Sequence, residues 1–240
     1  MNDLSVILCS YNEEKNIGKT LKKLLKYNVV KEIIIIDDNS TDKTIPIIES
    51  FRSKKIRLYV RKKVRGFASA FIYGIRLSKA KYILRFDVDM YQSIDLFINK
   101  FLKLNKIKME LIIFSRYVKN GRDLRGNFRK ISSLFLNKIC QIIISNRIKD
   151  YTSCIILFKK KILKDITINN TGYANFIIEF VSEAIFKNKS IIELPFTQLK
   201  DTEKNSKSAQ NMFIYLKNGF FYILSIIKSC LIKLKYWYVL

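Results

Sequence analysis

The amino-acid sequence predicts an α/β fold: a mostly parallel sheet flanked by helices, followed by a C-terminal amphipathic helical tail. Three observations carry this. Short apolar runs alternate with helical patterns over roughly the first 115 residues. Those runs are apolar at consecutive positions, as in strands covered on both faces. After a polar stretch at 200–208 the composition turns apolar and basic, which divides the chain into 1–208 and 209–240. With 49% hydrophobic residues among 240, there is enough apolar side chain for a core, and wholesale disorder is excluded.

The elements follow in order. Leu4–Cys9 reads as a buried strand, and 13–27 as a helix with Ile17, Leu21, Leu24 and Leu25 on one face. Glu32–Ile36 is a second strand, ended by Asp37-Asp38-Asn39-Ser40. Ser40 or Thr41 is placed to cap the next helix, which runs to about Phe51 with Pro46 in its first turns. Strands at Ile56–Val60 and Lys81–Phe86 enclose a helix at 66–78, and a helix at 94–104 leads to the strand Leu111–Phe114. The polar segment 116–130 reads as a loop. A helix near 128–146, a strand near 154–158, a helix near 173–187 and a strand near 190–195 complete the main body.

The tail is a basic amphipathic helix by its spacing. Its longest charge-free stretch is the ten residues Asn218–Ile227, against roughly 20 for a spanning helix. At about 100° per residue, Lys217, Lys228 and Lys235 share one line, flanked by Asn218, Ser225 and Ser229. Phe220, Ile223, Ile226, Ile227, Leu231 and Leu234 lie opposite, and no acid follows Glu203. Such a helix suits a membrane interface with anionic headgroups, with Tyr236, Trp237 and Tyr238 as anchors. The alternative is a helix packed on the main body or on a second subunit.

Composition also narrows the chemistry. Lys and Arg number 45 against 20 Asp and Glu, a net +25 that calls for an anionic partner. There is no His, so imidazole bases, His-dependent triads and His zinc sites are excluded, and acid–base or metal chemistry falls to carboxylates. The four cysteines, Cys9, Cys140, Cys154 and Cys230, form no CxxC pair, which fits a reducing compartment. The acidic start and the short run Leu4–Cys9 do not read as a signal peptide. Nucleic acid is not an expected partner, because the aromatics follow apolar runs rather than basic clusters.

In an open α/β sheet, ligands bind beyond the carboxyl ends of the strands. Three such ends carry polar clusters: Ser10-Tyr11-Asn12-Glu13-Glu14, Asp37-Asp38-Asn39-Ser40 and Asp87-Val88-Asp89. Asp at a turn is ordinary on its own. Two carboxylates spaced i, i+2 after a buried strand can nevertheless hold a divalent cation against a diphosphate.

Taken together, these segments resemble glycosyltransferase family 2, within it the dolichol-phosphate mannosyltransferase-like subgroup. Ser5–Glu13 resembles the family's strand and P-T-Y-N-E turn, with Cys9-Ser10 in place of Pro-Thr. Ile33–Asp38 with Asn39-Ser40-Thr41-Asp42 resembles D-D-x-S-x-D, Arg65–Ala70 with Gly74 the G-L-G-x-A stretch, and Asp87-Val88-Asp89 the D-x-D. The likeness continues through Ser115–Val118, Arg129 with Ser132, Ser133 and Asn137, Asp150–Ser153, Glu193–Pro195 and Ser206-Lys207.

The resemblance implies a GT-A fold, Rossmann-like, binding a nucleotide-sugar and passing the sugar with inversion to a polyprenyl or dolichyl phosphate. By motif match Cys9, Tyr11, Glu13, Ile36, Asp38 and Val88 would hold the nucleotide. Asp87 and Asp89, with Gln92, would address Mg2+ or Mn2+. Asp87, Asp89, Arg116 and Arg129 would form the catalytic set, and Arg116, Arg129, Ser133 and Lys207 would meet phosphates. It implies a peripheral enzyme on the cytoplasmic face of a membrane, with a membrane subunit or a second copy as further partners. The donor it suggests is GDP-mannose; a UDP-sugar donor and a sugar-hydroxyl acceptor are the alternatives. A lipid phosphate is already ionised at pH 7, so the missing His costs such a reaction nothing. The departures are Asp201 where the subgroup has Arg, Lys204 for Gly, Cys154-Ile155-Ile156 for Gly-Phe-Arg, and Tyr91 at the usual Gln, with Gln92 next to it.

Overall fold

The computed structural model describes residues 3–104, 109–170, 172–200 and 212–237. In chain order the elements are β1 (Leu4–Ser10), α1 (Ile17–Leu24), β2 (Val30–Asp37), α2 (Thr44–Ser50), β3 (Ile56–Val60), α3 (Phe67–Leu77), β4 (Tyr82–Arg85) and α4 (Ile94–Leu104). There follow β5 (Leu111–Ser115), β6 (Arg122–Asp123), α5 (Asn127–Ile143), β7 (Ile156–Lys159), α6 (Phe176–Phe186), β8 (Ile191–Pro195), β9 (Thr197–Gln198) and α7 (Met212–Trp237). They fall into two compact units: the chain up to Glu110 with Ile155–Ile162, and Leu111–Cys154 with the chain from Leu163 onward.

In the first unit five strands lie in the order β3-β2-β1-β4-β7. The pairs of β1 with β2 and β4, and of β2 with β3, are parallel, as the buried isoleucine runs predict. β7 pairs antiparallel with β4, Arg85 opposite Ile156. Strand direction leaves no mark in an apolar run of four, so this pairing had no signal to read. α3 packs closely on β1: a Cβ on Gly74 would lie 2.6 Å from Ile7 Cγ2, and only a glycine fits there. Phe86 against Phe97, and Tyr82 against Phe101, with ring centroids 5.3 and 5.1 Å apart, seat α4 on β4.

Two helix starts differ from expectation. α1 begins at Ile17, because residues ahead of it form a turn in which the Glu13 carbonyl accepts the Asn16 and Ile17 amides. α2 begins at Thr44, and neither Ser40 nor Thr41 caps it. Asp42 Oδ1 accepts the Thr44 amide and Glu14 Oε2 the Lys43 amide. The Ser40 hydroxyl is used instead to bind Asp37 and to accept the Asn12 amide.

In the second unit β5 pairs parallel with β8, Leu111 opposite Ile191. Within the stretch read as a loop, β6 pairs with β9 over two residues, too short for any periodicity to show. α6 is buried along most of its length, and α7 packs against it. The side that α7 buries corrects the sequence reading. Ser225 and Ser229, which flank the lysine line of the proposed interface helix, are buried. Phe213, Leu216, Phe220, Ile223, Ile227, Leu231 and Leu234 form an exposed stripe. Asn175 and Glu179 on the α6 side supply the hydrogen bonds that satisfy the buried Ser225 hydroxyl.

Candidate active site

The strand ends of the first unit converge as the topology requires. Asp37, fully buried at the end of β2, accepts the Ser10 and Ser40 hydroxyls on Oδ2 at 2.7 and 2.6 Å and the Ser40 amide on Oδ1 at 2.7 Å. Asn12 then clasps the other turn: its amide donates to Ser40 Oγ, and its Oδ1 accepts the Thr41 amide, both at 2.9 Å. The Glu13 amide donates to Thr44 Oγ1 at 2.7 Å. Asn12 and Asn39 both have positive φ, 52° and 61°, a conformation Asn tolerates better than most residues. The two motifs are therefore one hydrogen-bonded rim, with Asp37 as its rivet.

Asp38 points elsewhere. Its Oδ1 accepts two bonds from Arg61, at 2.7 and 2.5 Å, and its Oδ2 accepts the Gly66 amide at 2.8 Å. Arg61 also donates to Ser69 Oγ at 2.9 Å, so the loop between β3 and α3 is tied to the end of β2. Gly66, at φ 135°, supplies a backbone conformation that a side chain would strain. Beside it the Arg65 guanidinium lies 5.0 Å from the Tyr11 ring centroid. Burial pushes the Cys9 thiol up to about 12, with Arg85 offsetting only part of the rise, so it stays neutral and unreactive near pH 7. Ile36 and Val88 bury their side chains, and the Val88 carbonyl accepts Thr20 Oγ1 at 2.6 Å. Glu13 Oε2 accepts a long bond, 3.4 Å, from Asn16.

β4 ends at Arg85, and Asp87 and Asp89 follow at the mouth of a 3-10 turn, Val88–Ser93. The Asp87 side chain is 48% exposed and pairs with Arg85; Asp89 is exposed. Gln92 is exposed too, its side-chain amide 3.4 Å from the Tyr91 hydroxyl and its carbonyl accepting Lys23. Among the described residues no group of three or more Cys, Asp or Glu gathers to hold a metal alone. Two accessible carboxylates in one turn nevertheless suit a hard divalent cation, which commonly takes one or two carboxylates and completes its shell with substrate phosphates and water. The donor set fits Mg2+ or Mn2+ on those terms.

The basic motifs of the second unit form a buried polar network. Arg116, 6% exposed, donates to Asp150 through Nε (2.8 Å), Nη2 (2.6 Å) and its amide (3.0 Å), and to Thr152 Oγ1 at 2.7 Å. Its Nη1 lies 3.7 Å from Asp123, which also takes a two-pronged pair from Arg125 and the Tyr117 hydroxyl. Burial opposes the Arg116 charge, but Asp150 and then Asp123 outweigh it and keep the guanidinium protonated. Ser133 Oγ lies 3.0 Å from Thr152 Oγ1, which also accepts Asn137 Nδ2 at 2.9 Å, and Asn137 Oδ1 accepts the Tyr151 amide at 2.6 Å. The sequence motifs at Ser133–Asn137 and Asp150–Ser153 are thus the two halves of one cluster. Arg129 stands in the first turn of α5, half-buried, one turn before Ser133. Lys207, with Asp201, Lys204 and Ser206, lies outside the described residues.

Arg61, Asp123 and Arg125 were not singled out from sequence. Asp38 lies 23 residues from Arg61, and nothing local marks the pairing. Asp123 and Arg125 sit in a segment whose basic composition masked a balanced pair of charges.

Comparison with known proteins gives the same reading. The family model described as Glycosyl transferase family 2 matches residues 5–167. A dolichol-phosphate mannosyltransferase of Pyrococcus furiosus is 26% identical over 228 residues, 90% of this chain and 62% of the relative. The chain therefore spans less than two thirds of that relative's length. A Methanocaldococcus jannaschii protein of no assigned function is 34% identical over 182 residues, 70% of this chain and 76% of that one. Among solved structures, Mycobacterium tuberculosis glucosyl-3-phosphoglycerate synthase with UDP superposes at a TM-score of 0.72. That match covers 95% of this chain and 80% of the other at 14% identity. The same enzyme with Mn2+, UDP-glucose and phosphoglyceric acid gives 0.71 at 13% identity, covering 95% and 80%. The sheet order, the strand-end motifs and the matched span lead to one conclusion: this chain is a GT-A-fold member of glycosyltransferase family 2.

Proposed function

We propose that the protein transfers a sugar from a nucleotide-sugar to a polyprenyl phosphate at a membrane surface, with mannose from GDP-mannose as the first donor to test. Residues 1–208 would act as the catalytic domain, and 209–240 as its interface helix. The observation that carries the lipid acceptor is the outward apolar face of the second unit. Besides the stripe on α7, α5 exposes Phe128, Ile131, Leu134, Phe135 and Ile142. The two helices touch, with the Phe128 and Tyr215 rings 5.1 Å apart. They carry three basic residues in α5 and four in α7, and neither contains Asp or Glu. Large apolar patches on a solvated surface mark interaction sites. An all-cationic border matches anionic headgroups and would repel a second copy of itself.

By length and composition Phe213–Leu234 could also cross a membrane. The buried edge of Ser225 and Ser229, tied to α6 through Ser225, supports a helix lying flat instead. The protein would then sit peripherally, and the cytoplasmic face suits its four free cysteines.

In this reading Tyr11, Glu13 and Asp38 bound the nucleoside side of the rim, with the main chain of Cys9, Ile36 and Val88 behind it. Asp87 and Asp89, with Gln92 nearby, would hold Mg2+ or Mn2+, whose charge would stabilise the leaving diphosphate. An acceptor phosphate oxygen bonds to the anomeric carbon as the carbon–diphosphate oxygen bond breaks, and the electron pair leaves with the nucleoside diphosphate. The acceptor carries no proton to remove, so no general base is required. Arg116, Arg129, Ser133 and Lys207 would meet phosphates, with Arg116 and Ser133 held in place through Asp150 and Thr152. A UDP-sugar donor is the second reading, favoured by the fold shared with the UDP-glucose-bound synthase. The test is transfer of label from a panel of nucleotide-sugars to a short polyprenyl phosphate with Mg2+ or Mn2+. Label in the lipid phase names the donor; metal-dependent donor binding with no lipid product would move the acceptor to a sugar hydroxyl.

A further inference from the structure

β4 is buried at every position, and the residue that ends it is an arginine. Arg85 lies opposite Ile7 on one side and Ile156 on the other, in the middle of the first unit's sheet. A strand covered on both faces is normally apolar throughout. A buried guanidinium is costly unless it is paired, and breaking such a pair strands the remaining charge. Arg85 is 3% exposed and lies 4.2 Å from the Phe67 ring centroid at the start of α3. Its Nη2 meets Asp87 Oδ1. The backbone is still extended at Asp87, just beyond the strand end (φ −79°, ψ 146°). The charge thus approaches Asp87 from the core side, while the carboxylate keeps its outer side in solvent.

We propose that Arg85 is a positioning residue that tunes the cation affinity of Asp87 and Asp89. It holds Asp87 from behind and offsets one of the two negative charges. The bare carboxylate pair then attracts a divalent cation weakly, and the charge of a nucleoside diphosphate is needed to complete the attraction. Arg85 thereby keeps the bare site from filling before the nucleotide arrives. The inference rests on the reading of Asp87 and Asp89 as cation ligands.

The test is Mn2+ binding to the full chain, followed by the electron paramagnetic resonance of free Mn2+, without nucleotide and with GDP or UDP. Arg85→Met removes charge and hydrogen bond; Arg85→Gln removes the charge and keeps a donor for Asp87. Both are expected to bind Mn2+ about tenfold more tightly than wild type without nucleotide, as loss of a like charge a few ångströms away should give. Arg85→Lys, which keeps the charge, should stay within about twofold. A thermal unfolding transition checks that each variant is folded, and if Arg85→Met is not, Arg85→Gln carries the comparison. Unchanged or weaker Mn2+ binding in the neutral variants, with nucleotide-dependent Mn2+ uptake intact in wild type, overturns the role of Arg85 alone. Wild type that takes up no Mn2+ even with GDP or UDP overturns the cation site itself, and the inference with it.

Discussion

The Ser225 hydroxyl donates a 2.5 Å hydrogen bond to Glu179 Oε1, joining α7 to a carboxylate that is only 1% exposed. Asn175 Nδ2 donates to Ser225 Oγ at 2.8 Å, Asn169 donates to the other Glu179 oxygen, and Lys228 Nζ lies 3.8 Å from Oε1. This latch decides which side of α7 faces in, and so which side is left for the surroundings. Glu179→Ala removes the acceptor and leaves buried donors unmatched, a loss of about 1–3 kcal/mol. Urea unfolding should report that loss, and hydrogen exchange should speed up along 212–237 more than along α6. Unchanged protection of α7 would mean that apolar packing alone holds it.

The exposed faces of α5 and α7 predict additive vesicle binding. Phe135→Glu in α5 and Phe220→Glu in α7 should each lower partitioning onto anionic vesicles by at least about tenfold, from lost apolar insertion and added like charge. Nucleotide affinity should stay within about twofold, since neither side chain is near the strand-end rim in sequence or unit. Variants of this kind are cleaner than removal of 212–240, which would uncover the buried edge of α6. A tail variant that releases the protein while the α5 variant does not would confine docking to α7.

Acid should expose the Asp123 cluster. Burial alone would raise its carboxyl, but the Arg125 hydrogen bond and charge, with Arg116, bring it down to about 2. A depressed folded-state value means that the stabilisation is complete above the unfolded value near 3.8 and is lost as pH falls toward 2. The contribution is about 2 kcal/mol. In Asp123→Asn the unfolding free energy should lose that amount at pH 6 and fall less steeply than wild type between pH 4 and 2. Parallel curves would show that the pairs with Arg116 and Arg125 contribute nothing.

Asp150→Ala leaves Arg116 buried with one carboxylate, 3.7 Å away, in place of two. The expected loss is about 3–5 kcal/mol. Arg116→Met/Asp150→Met, which removes both charges, should recover most of it. If the double variant is as unstable as Asp150→Ala, hydrogen bonding to Thr152 and the backbone matters more than the charge balance.

The strands of the first unit were legible because isoleucine runs bounded by Asp, Asn and Ser report burial and termination together. The rim was legible for the same reason: Asp37, Asp38 and the Asp87, Asp89 pair stand where strands end. What a sequence pattern omits is direction and partner. β7 reads as a strand but not as an antiparallel one, and β6 with β9 is two residues long. Asp37 and Asp38 are adjacent and alike, yet one rivets serines and the other pairs with Arg61, a choice made by the loop after β3. On α7, spacing separated an apolar stripe from a polar line, but only the placement of Glu179 and Asn175 shows that Ser225 and Ser229 are the buried side.

The measurement that tests the account most directly compares wild type with Asp89→Asn in the lipid-phosphate transfer assay, with each variant's folding checked by thermal unfolding. Asp89 is exposed in a turn, so its replacement should leave the unfolding transition within about 1 kcal/mol of wild type. Loss of a carboxylate ligand beside the diphosphate should lower turnover by about 100-fold or more. Folded Asp89→Asn that still transfers sugar at a near-normal rate would contradict the assignment of Asp87 and Asp89 to the reaction.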